Sequence, residues 1–415
     1  MLSILINAYA CSPKMGSEPG MAWNWCVNLA KYCELHIITE GEFRDRIEAA
    51  LPTLPQGRNM HFYYNPVSDE IRKMCWNQGD WRFYKYYRKW QWKTYLIAKE
   101  ICGQREIDLL HQLNMIGFRE PGYLWKLSKE TDIPFVWGPI GGLKQFPLAY
   151  TDGGGLKMKA FMALKNTLNV LQLKYDKRVD AAIRQATLLV SSIPDSYKAI
   201  KKYKGRESVM IPETGCFDGT VKQENLQRFE GKLLNIMWVG KFDFRKRLDI
   251  AIKALAKTGN KNIRLKVFGS GSQYQTDSAK ELASKMNIDG QVNWEGNKPN
   301  DEIKREMSNA DLFLFTSVSE DTSTVVLEAV SCRLPVLCFD ACGMSAIIDE
   351  KVGIKIPLTN PEQSVNDFAE KIEYLYNHRD VLRILSDNCS DRQKELSWDG
   401  KVKKMVGLYE RCIVH

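Results

Sequence analysis

Short apolar runs alternate with amphipathic stretches along this chain, and they do so twice. The first series of expected strands is LSILINA (2–8), LHIIT (35–39), HFYY (61–64), DLLH (108–111), FVW (135–137) and TLLVSS (187–192). A second begins at NIMWVG (235–240) and continues through RLKVFGS, QVNWEG, DLFLFTS and PVLCFD. Strands that read as continuous apolar runs, separated by helical patterns such as AWNWCVNLAKYC, predict parallel sheets covered by helices on both faces. Two such series in 415 residues exceed what one hydrophobic core supports. The expected fold is therefore α/β, with two Rossmann-like domains facing across a cleft. The domains are expected at 1–213 plus 396–415 and at 232–395. The break falls between Pro212 and Lys232, where the sequence is polar and punctuated by glycine. The helix starting at SWDGKVKKMVGLYERC follows the second series and is expected to cross back to the first domain. Ligands are expected beyond the carboxyl ends of the strands.

Composition narrows the compartment. No apolar run reaches the roughly 18 residues needed to span a bilayer. MLSILINAYA lacks a basic leader and reads as a first strand rather than a secretory signal. The eleven cysteines include no C-x-x-C pair, which argues against a disulfide framework or a zinc site and fits a cytoplasmic protein.

The segment FTSVSEDTSTVVLEAVSCRLPVLCFD places Glu320 and Glu328 inside an otherwise apolar run. Carboxylates are rarely tolerated in a core without partners. Thr322, Ser323 or Thr324 can cap a helix through VVLEAVSC, with Glu320 on the preceding turn and Glu328 within its first two turns. A helix start with unpaired N–H groups suits phosphate, and carboxylates suit hydroxyl-rich ligands. A capping Glu320 and a solvated Glu328 explain the same pattern. In NIMWVGKFDFRKRLDIAIKALA, Gly240 ends a strand, and Lys241 and Lys246 flank the loop that follows. These cations could neutralise a diphosphate, or simply be a solvated basic loop, with Arg247 on the outer helix face. Gly269 and Gly271 in VFGSGS fit a tight turn equally well. In the first series, Gly16 and Gly20 of SPKMGSEPGMAW would let backbone approach a ligand, and VWGPIGG (136–142) forms a rigid loop. His111 ends an apolar strand; a lone histidine there is more often structural than catalytic.

The order and spacing of these pieces resemble the retaining nucleotide-sugar glycosyltransferases of family 4, which have the GT-B fold. EDTSTVVLE followed by AVSCRLPVLC is similar to that family's E-x7-E signature. VGKFDFRKRLDIAIKALA resembles its phosphate-binding loop and helix, and GSEPGMAW and VWGPIGG its N-domain loops. The resemblance covers nearly the whole chain and is weakest from about 40 to 105. It implies that Glu328 binds the ribose hydroxyls and Glu320 the donor sugar's hydroxyls. Lys241 and Lys246 would hold the diphosphate, with Gly240, Thr322, Ser323 and Thr324 in the donor site. Gly16 would let the N-domain loop close, and His111 would lie near the reacting carbon. Glu320, His111 and Lys246 would be the catalytic residues. Two departures stand out: Lys241 where many members have Arg, and Asp-Thr-Ser after the first Glu where many have Phe-Gly.

No cofactor is implied beyond the nucleoside-diphosphate sugar. With no D-x-D in the chain, lysines and helix N–H groups would stabilise the leaving group without a metal. Residues 72–99 hold eight Lys or Arg, one acidic residue and nine aromatics. They fit a core helix with a wet basic face or an interfacial helix on an anionic membrane, and 156–177 could share that face. Nucleic acid is not expected, since no RNA-binding motif accompanies the stretch. The expectation is a cytoplasmic retaining glycosyltransferase of the hexosyltransferase class, peripheral on the inner membrane face. Its acceptor would be a lipid-linked or cell-surface glycan, as in lipopolysaccharide or capsule synthesis. A nucleotide-sugar epimerase, a phosphorylase or a catalytically silent lipid- or glycan-binding protein remain as alternatives.

Overall fold

The structure, a computed structural model, describes residues 1–77, 80–152, 154–217 and 226–413, so part of the expected domain break lies outside the described residues. The chain folds into two compact units. One comprises Met1–Leu143, Thr167–Thr214 and Trp398–His415; the other comprises Lys144–Asn166 and Gly215–Ser397.

The first unit is built on a seven-stranded sheet. Its strands are β1 (Leu2–Ala8), β2 (Cys33–Thr39), β3 (Met60–Tyr64), β4 (Leu109–Asn114), β5 (Phe135–Ile140), β6 (Leu188–Ser191) and β7 (Val209–Met210), in the order β3-β2-β1-β4-β5-β6-β7. The second is built on a six-stranded sheet of β8 (Leu234–Val239), β9 (Ile263–Phe268), β10 (Val292–Gly296), β11 (Leu312–Phe315), β12 (Val336–Phe339) and β13 (Gly353–Ile356), ordered β10-β9-β8-β11-β12-β13. All pairings are parallel. Ile4, Leu5 and Ile6 in β1, and Phe313 and Leu314 in β11, are buried on both sheet faces, which explains their continuous apolar runs. In each sheet the winding reverses where the first strand is flanked on both sides: β1 between β2 and β4, β8 between β9 and β11. Such a reversal opens a crevice at the carboxyl ends of the flanking strands. Each unit is thus a Rossmann-like α/β domain.

Residues 144–166 pack with the second unit, whereas the sequence reading counted them with the first. Phe146 and Tyr150 join the core that holds Trp238 and Phe242, and the Tyr150 hydroxyl lies 2.6 Å from Ser364 Oγ. Arg247 completes this attachment, and it corrects the outer-face placement. Its backbone takes a left-handed turn (φ 51°), and its side chain is buried. The guanidinium donates to both Asp152 oxygens at 2.7 and 3.0 Å, and to Asp249 Oδ1 and Oδ2 at 2.9 Å each. Burial opposes ionisation of Asp249, but these bonds to Arg247 hold its carboxyl below the usual range.

The basic aromatic stretch forms two helices, Asp69–Trp76 and Phe83–Gln104; residues 78 and 79 lie outside the described residues. Phe83, Tyr87, Trp90 and Tyr95 are buried, while Trp81, Tyr84, Trp92 and Leu96 are exposed among Lys85, Arg88, Lys89 and Lys93. A core face and a wet basic face are therefore both present. Among the described residues, no helix is long and apolar enough to cross a membrane.

Candidate active site

β8 and β11 lie side by side, so the loops leaving their carboxyl ends meet. Trp238 Nε1 donates to Thr316 Oγ1 at 3.0 Å, and Thr316 Oγ1 donates to the Lys246 carbonyl at 2.8 Å. The Val318 N–H donates to the Arg245 carbonyl at 2.9 Å. Within the first loop, the Arg245 and Lys246 N–H groups both donate to Asp243 Oδ1, at 2.8 and 3.2 Å. This stitching aims the Lys246 ammonium at Glu320 Oε1, 2.8 Å away, and places it 5.2 Å from the centre of the Phe315 ring. Ser317 Oγ lies 3.1 Å from the same carboxylate oxygen. Both members of the Lys246–Glu320 pair keep partial exposure, 16% and 20%.

After Glu320 the chain turns into the helix Thr324–Ser331. Its N-cap, Ser323, is extended and makes no side-chain capping bond. The first-turn N–H groups therefore donate no bond to the Ser323 side chain, and they carry the positive end of the helix dipole. Thr324 is exposed, Thr322 partly so, and Ser323 is buried. Glu328 is half-buried, with Oε1 accepting from Asn300 Nδ2 at 2.9 Å. Lys241 is exposed. Gly240 meets Gly269 so closely that a Cβ on Gly269 (φ +122°) would fall 1.9 Å from the Gly240 carbonyl oxygen. Asn297 Nδ2 donates to Ser270 Oγ at 2.6 Å, closing the loops after β9 and β10 on each other. The second unit thus brings Gly240, Lys246, Glu320 and the Thr322–Thr324 turn together, with Glu328 on the helix that follows. Thr316, Ser317 and Asn300 belong to this arrangement but carry no local sequence signature. Among the described residues, no three His, Cys, Asp or Glu side chains gather as a metal site.

In the first unit, Gly16 (φ −89°) precedes the helix Ser17–Leu29 and has open space where a Cβ would point. The fold's own demand for glycine is at Gly20, where a Cβ would lie 1.8 Å from the Met15 carbonyl oxygen. His111 is corrected: it is fully buried, with both ring nitrogens engaged, and cannot face a reacting carbon as it stands. Nε2 lies 2.7 Å from the Gly138 carbonyl, which can only accept, so Nε2 carries the proton. Nδ1 therefore accepts from the Tyr409 hydroxyl, also at 2.7 Å. His111 ties β4, the VWGPIGG loop and the helix Trp398–Ile413 together.

Residues 222–395 match the family model of group 1 glycosyl transferases. An uncharacterized glycosyltransferase of Methanocaldococcus jannaschii is 28% identical over 175 residues, covering 42% of this chain and 47% of the relative. Arabidopsis thaliana sulfoquinovosyl transferase SQD2 is 25% identical over 170 residues, covering 41% of this chain and 32% of the relative. These alignments span less than half of either relative. Over the full chain, Anabaena HepE in complex with UDP superposes with TM-score 0.62 at 14% identity, covering 99% of this chain and 100% of that one. Sucrose-phosphate synthase from Thermosynechococcus elongatus superposes with TM-score 0.66 at 15% identity, covering 100% of both chains. The fold is that of the GT-B proteins. Within the second unit, residues 222–395 are similar to the group 1 glycosyl transferases.

Burial lowers the His111 pKa to about 4 from an ordinary value near 6.5. The folded protein keeps this ring neutral where the unfolded chain protonates it. Its contribution is complete above about pH 6.5, falls as pH drops, and levels off below about pH 4. At about 1.4 kcal/mol per unit, the loss amounts to about 3 kcal/mol. Urea unfolding from pH 7 to pH 4 should show a shallower decline in His111→Gln than in the unsubstituted protein. Equal declines would mean that the buried neutral ring is wrong.

Proposed function

We propose that this protein transfers a glycosyl group from a nucleoside-diphosphate sugar to an acceptor hydroxyl with retention of anomeric configuration. The observation that carries this reading is the Lys246–Glu320 pair beside the helix start at Ser323, with Glu328 on the same helix. The diphosphate is held by Lys246, Lys241 and first-turn N–H groups. Charge-assisted donors stabilise the leaving nucleoside diphosphate, the largest electrostatic demand of the reaction, and no metal is required for this. Glu328 accepts from the ribose hydroxyls in place of Asn300. Glu320 accepts from hydroxyls of the transferred sugar once Lys246 turns to phosphate. UDP is the first base to test, because the full-length structural neighbour HepE binds it.

The acceptor is a lipid-linked or cell-surface glycan, taken by the first unit, which rests on an anionic membrane through the helix Phe83–Gln104. Support comes from its exposed Tyr84, Trp92 and Leu96, and from Trp81 just before it, among outward cations. Aromatic rings settle at headgroup depth, and each cation near an anionic surface contributes about 1 kcal/mol.

Glu328→Ala should weaken UDP, GDP or ADP binding about ten-fold or more, since hydrogen bonds to a charged group contribute roughly 1.5–3 kcal/mol each. Glu320→Ala should bind nucleotide normally but turn over slowly, and EDTA should leave the unsubstituted protein active. Unchanged nucleotide affinity in a folded Glu328→Ala protein would remove the ribose role.

Sedimentation with phosphatidylglycerol vesicles should be strong at low salt and weak at high salt. It should be lost when Lys85, Arg88, Lys89 and Lys93 are replaced by Gln. Binding indifferent to both changes would return that helix face to ordinary solvated surface.

A further inference from the structure

Three cations at or beside the loop after β8 and the turn after β11 each meet a carboxylate there. Arg245 lies 3.0 Å from Asp243, Lys246 2.8 Å from Glu320, and Lys144 2.7 Å from Asp321. The last pair involves a residue that neither the sequence motifs nor the family match singles out.

Lys144 is fixed at this place by the segment that follows it. Phe146 packs on Phe244, two positions before Lys246, with ring centres 5.5 Å apart. Its backbone N–H donates to Asn166 Oδ1 and its carbonyl accepts from Asn166 Nδ2, both at 2.9 Å. Asp321 is fixed by the opposite wall: a Cβ on Gly343 would fall 2.4 Å from its carbonyl oxygen. The pair is nevertheless incompletely satisfied. Asp321 Oδ2 meets Lys144, whereas Oδ1 is buried with no hydrogen-bond partner among the described residues. A buried carboxylate oxygen without a protein donor is costly, so this pair gains by rearranging. Both side chains keep partial exposure, 21% and 27%, which leaves room for an exchange.

We propose that Lys144 is a further cation of the donor site, held in reserve by Asp321. When a nucleoside diphosphate binds, Lys144 exchanges the Asp321 carboxylate for a phosphate oxygen. Asp321, one residue beyond Glu320, is then free to accept from a hydroxyl of the transferred sugar. This rests on the donor reading above and adds to it a residue and a ligand-driven switch.

The experiment is calorimetric titration of UDP, GDP and ADP into the full chain and into Lys144→Met, Lys144→Arg, Asp321→Asn and Lys246→Met, each checked for folding by circular dichroism. For whichever diphosphate binds, Lys144→Met should lose about ten-fold in affinity, the loss of one charge-assisted contact. Lys144→Arg should recover most of it. Asp321→Asn should bind more tightly than the unsubstituted protein, because a competing carboxylate is gone. The opposite signs are the signature, since a merely structural pair would lose affinity from either side. Equal losses in Lys144→Met and Asp321→Asn, or no change in Lys144→Met, would overturn the proposal while leaving the Lys246 site standing. Failure of all three diphosphates to bind the unsubstituted protein, or unchanged binding in Lys246→Met, would overturn the donor reading itself.

Discussion

The Thr316 hydroxyl holds the site together. It accepts from the buried Trp238 indole and donates to the Lys246 carbonyl, joining the loop after β8 to the loop after β11. A parallel sheet makes this junction available only where strands of distant sequence become neighbours, and the winding reversal makes β8 and β11 such neighbours. Lys246 reaches Glu320 because its backbone is pinned there, and Glu320 stands on the turn that launches the helix Thr324–Ser331. A lysine, a carboxylate and an N-terminal helix turn therefore converge without any one of them being held alone.

The basic loop KFDFRKR shows how one run of like charge is divided by backbone geometry. Arg245 folds onto Asp243 in its own loop, and Lys246 reaches across to Glu320. Arg247, turned by its left-handed backbone, is driven inward to clamp Asp152 and Asp249. A guanidinium suits that place, since its fork of donors satisfies two carboxylates at once. Lys246, next to it, keeps partial exposure and presents a single point charge to Glu320. In the proposed donor site, an incoming phosphate would compete for ammonium groups that are already positioned.

Much of the fold was legible in the sequence. Buried parallel strands leave continuous apolar runs, and eleven of them stand out in the chain. The edge strand β7, two residues long, and β13, with Lys355 in its middle, lack that signature. The Glu320 and Glu328 positions were legible from helix-start chemistry and spacing, and the structure places both on one turn and helix. Arg247 was not legible, because its partner Asp152 lies 95 residues earlier. The same remoteness hid the attachment of residues 144–166, and it hid Asn300, whose contact with Glu328 spans 28 positions. His111 shows the limit of motif reasoning: its place at a strand end is compatible with catalysis or structure, and only Gly138 and Tyr409 on its two nitrogens decide between them.

The central claim is that the second unit's helix start, with Lys246 and Glu328, seats a nucleoside diphosphate. A crystal structure of the protein grown with UDP tests it most directly. The expected result is phosphate oxygens within about 3 Å of Lys246 Nζ and of first-turn N–H groups near Thr324, a charge-assisted hydrogen-bond distance. Ribose hydroxyls should lie on Glu328, with Asn300 displaced. UDP seated elsewhere, with the Lys246–Glu320 and Asn300–Glu328 contacts intact, would contradict it.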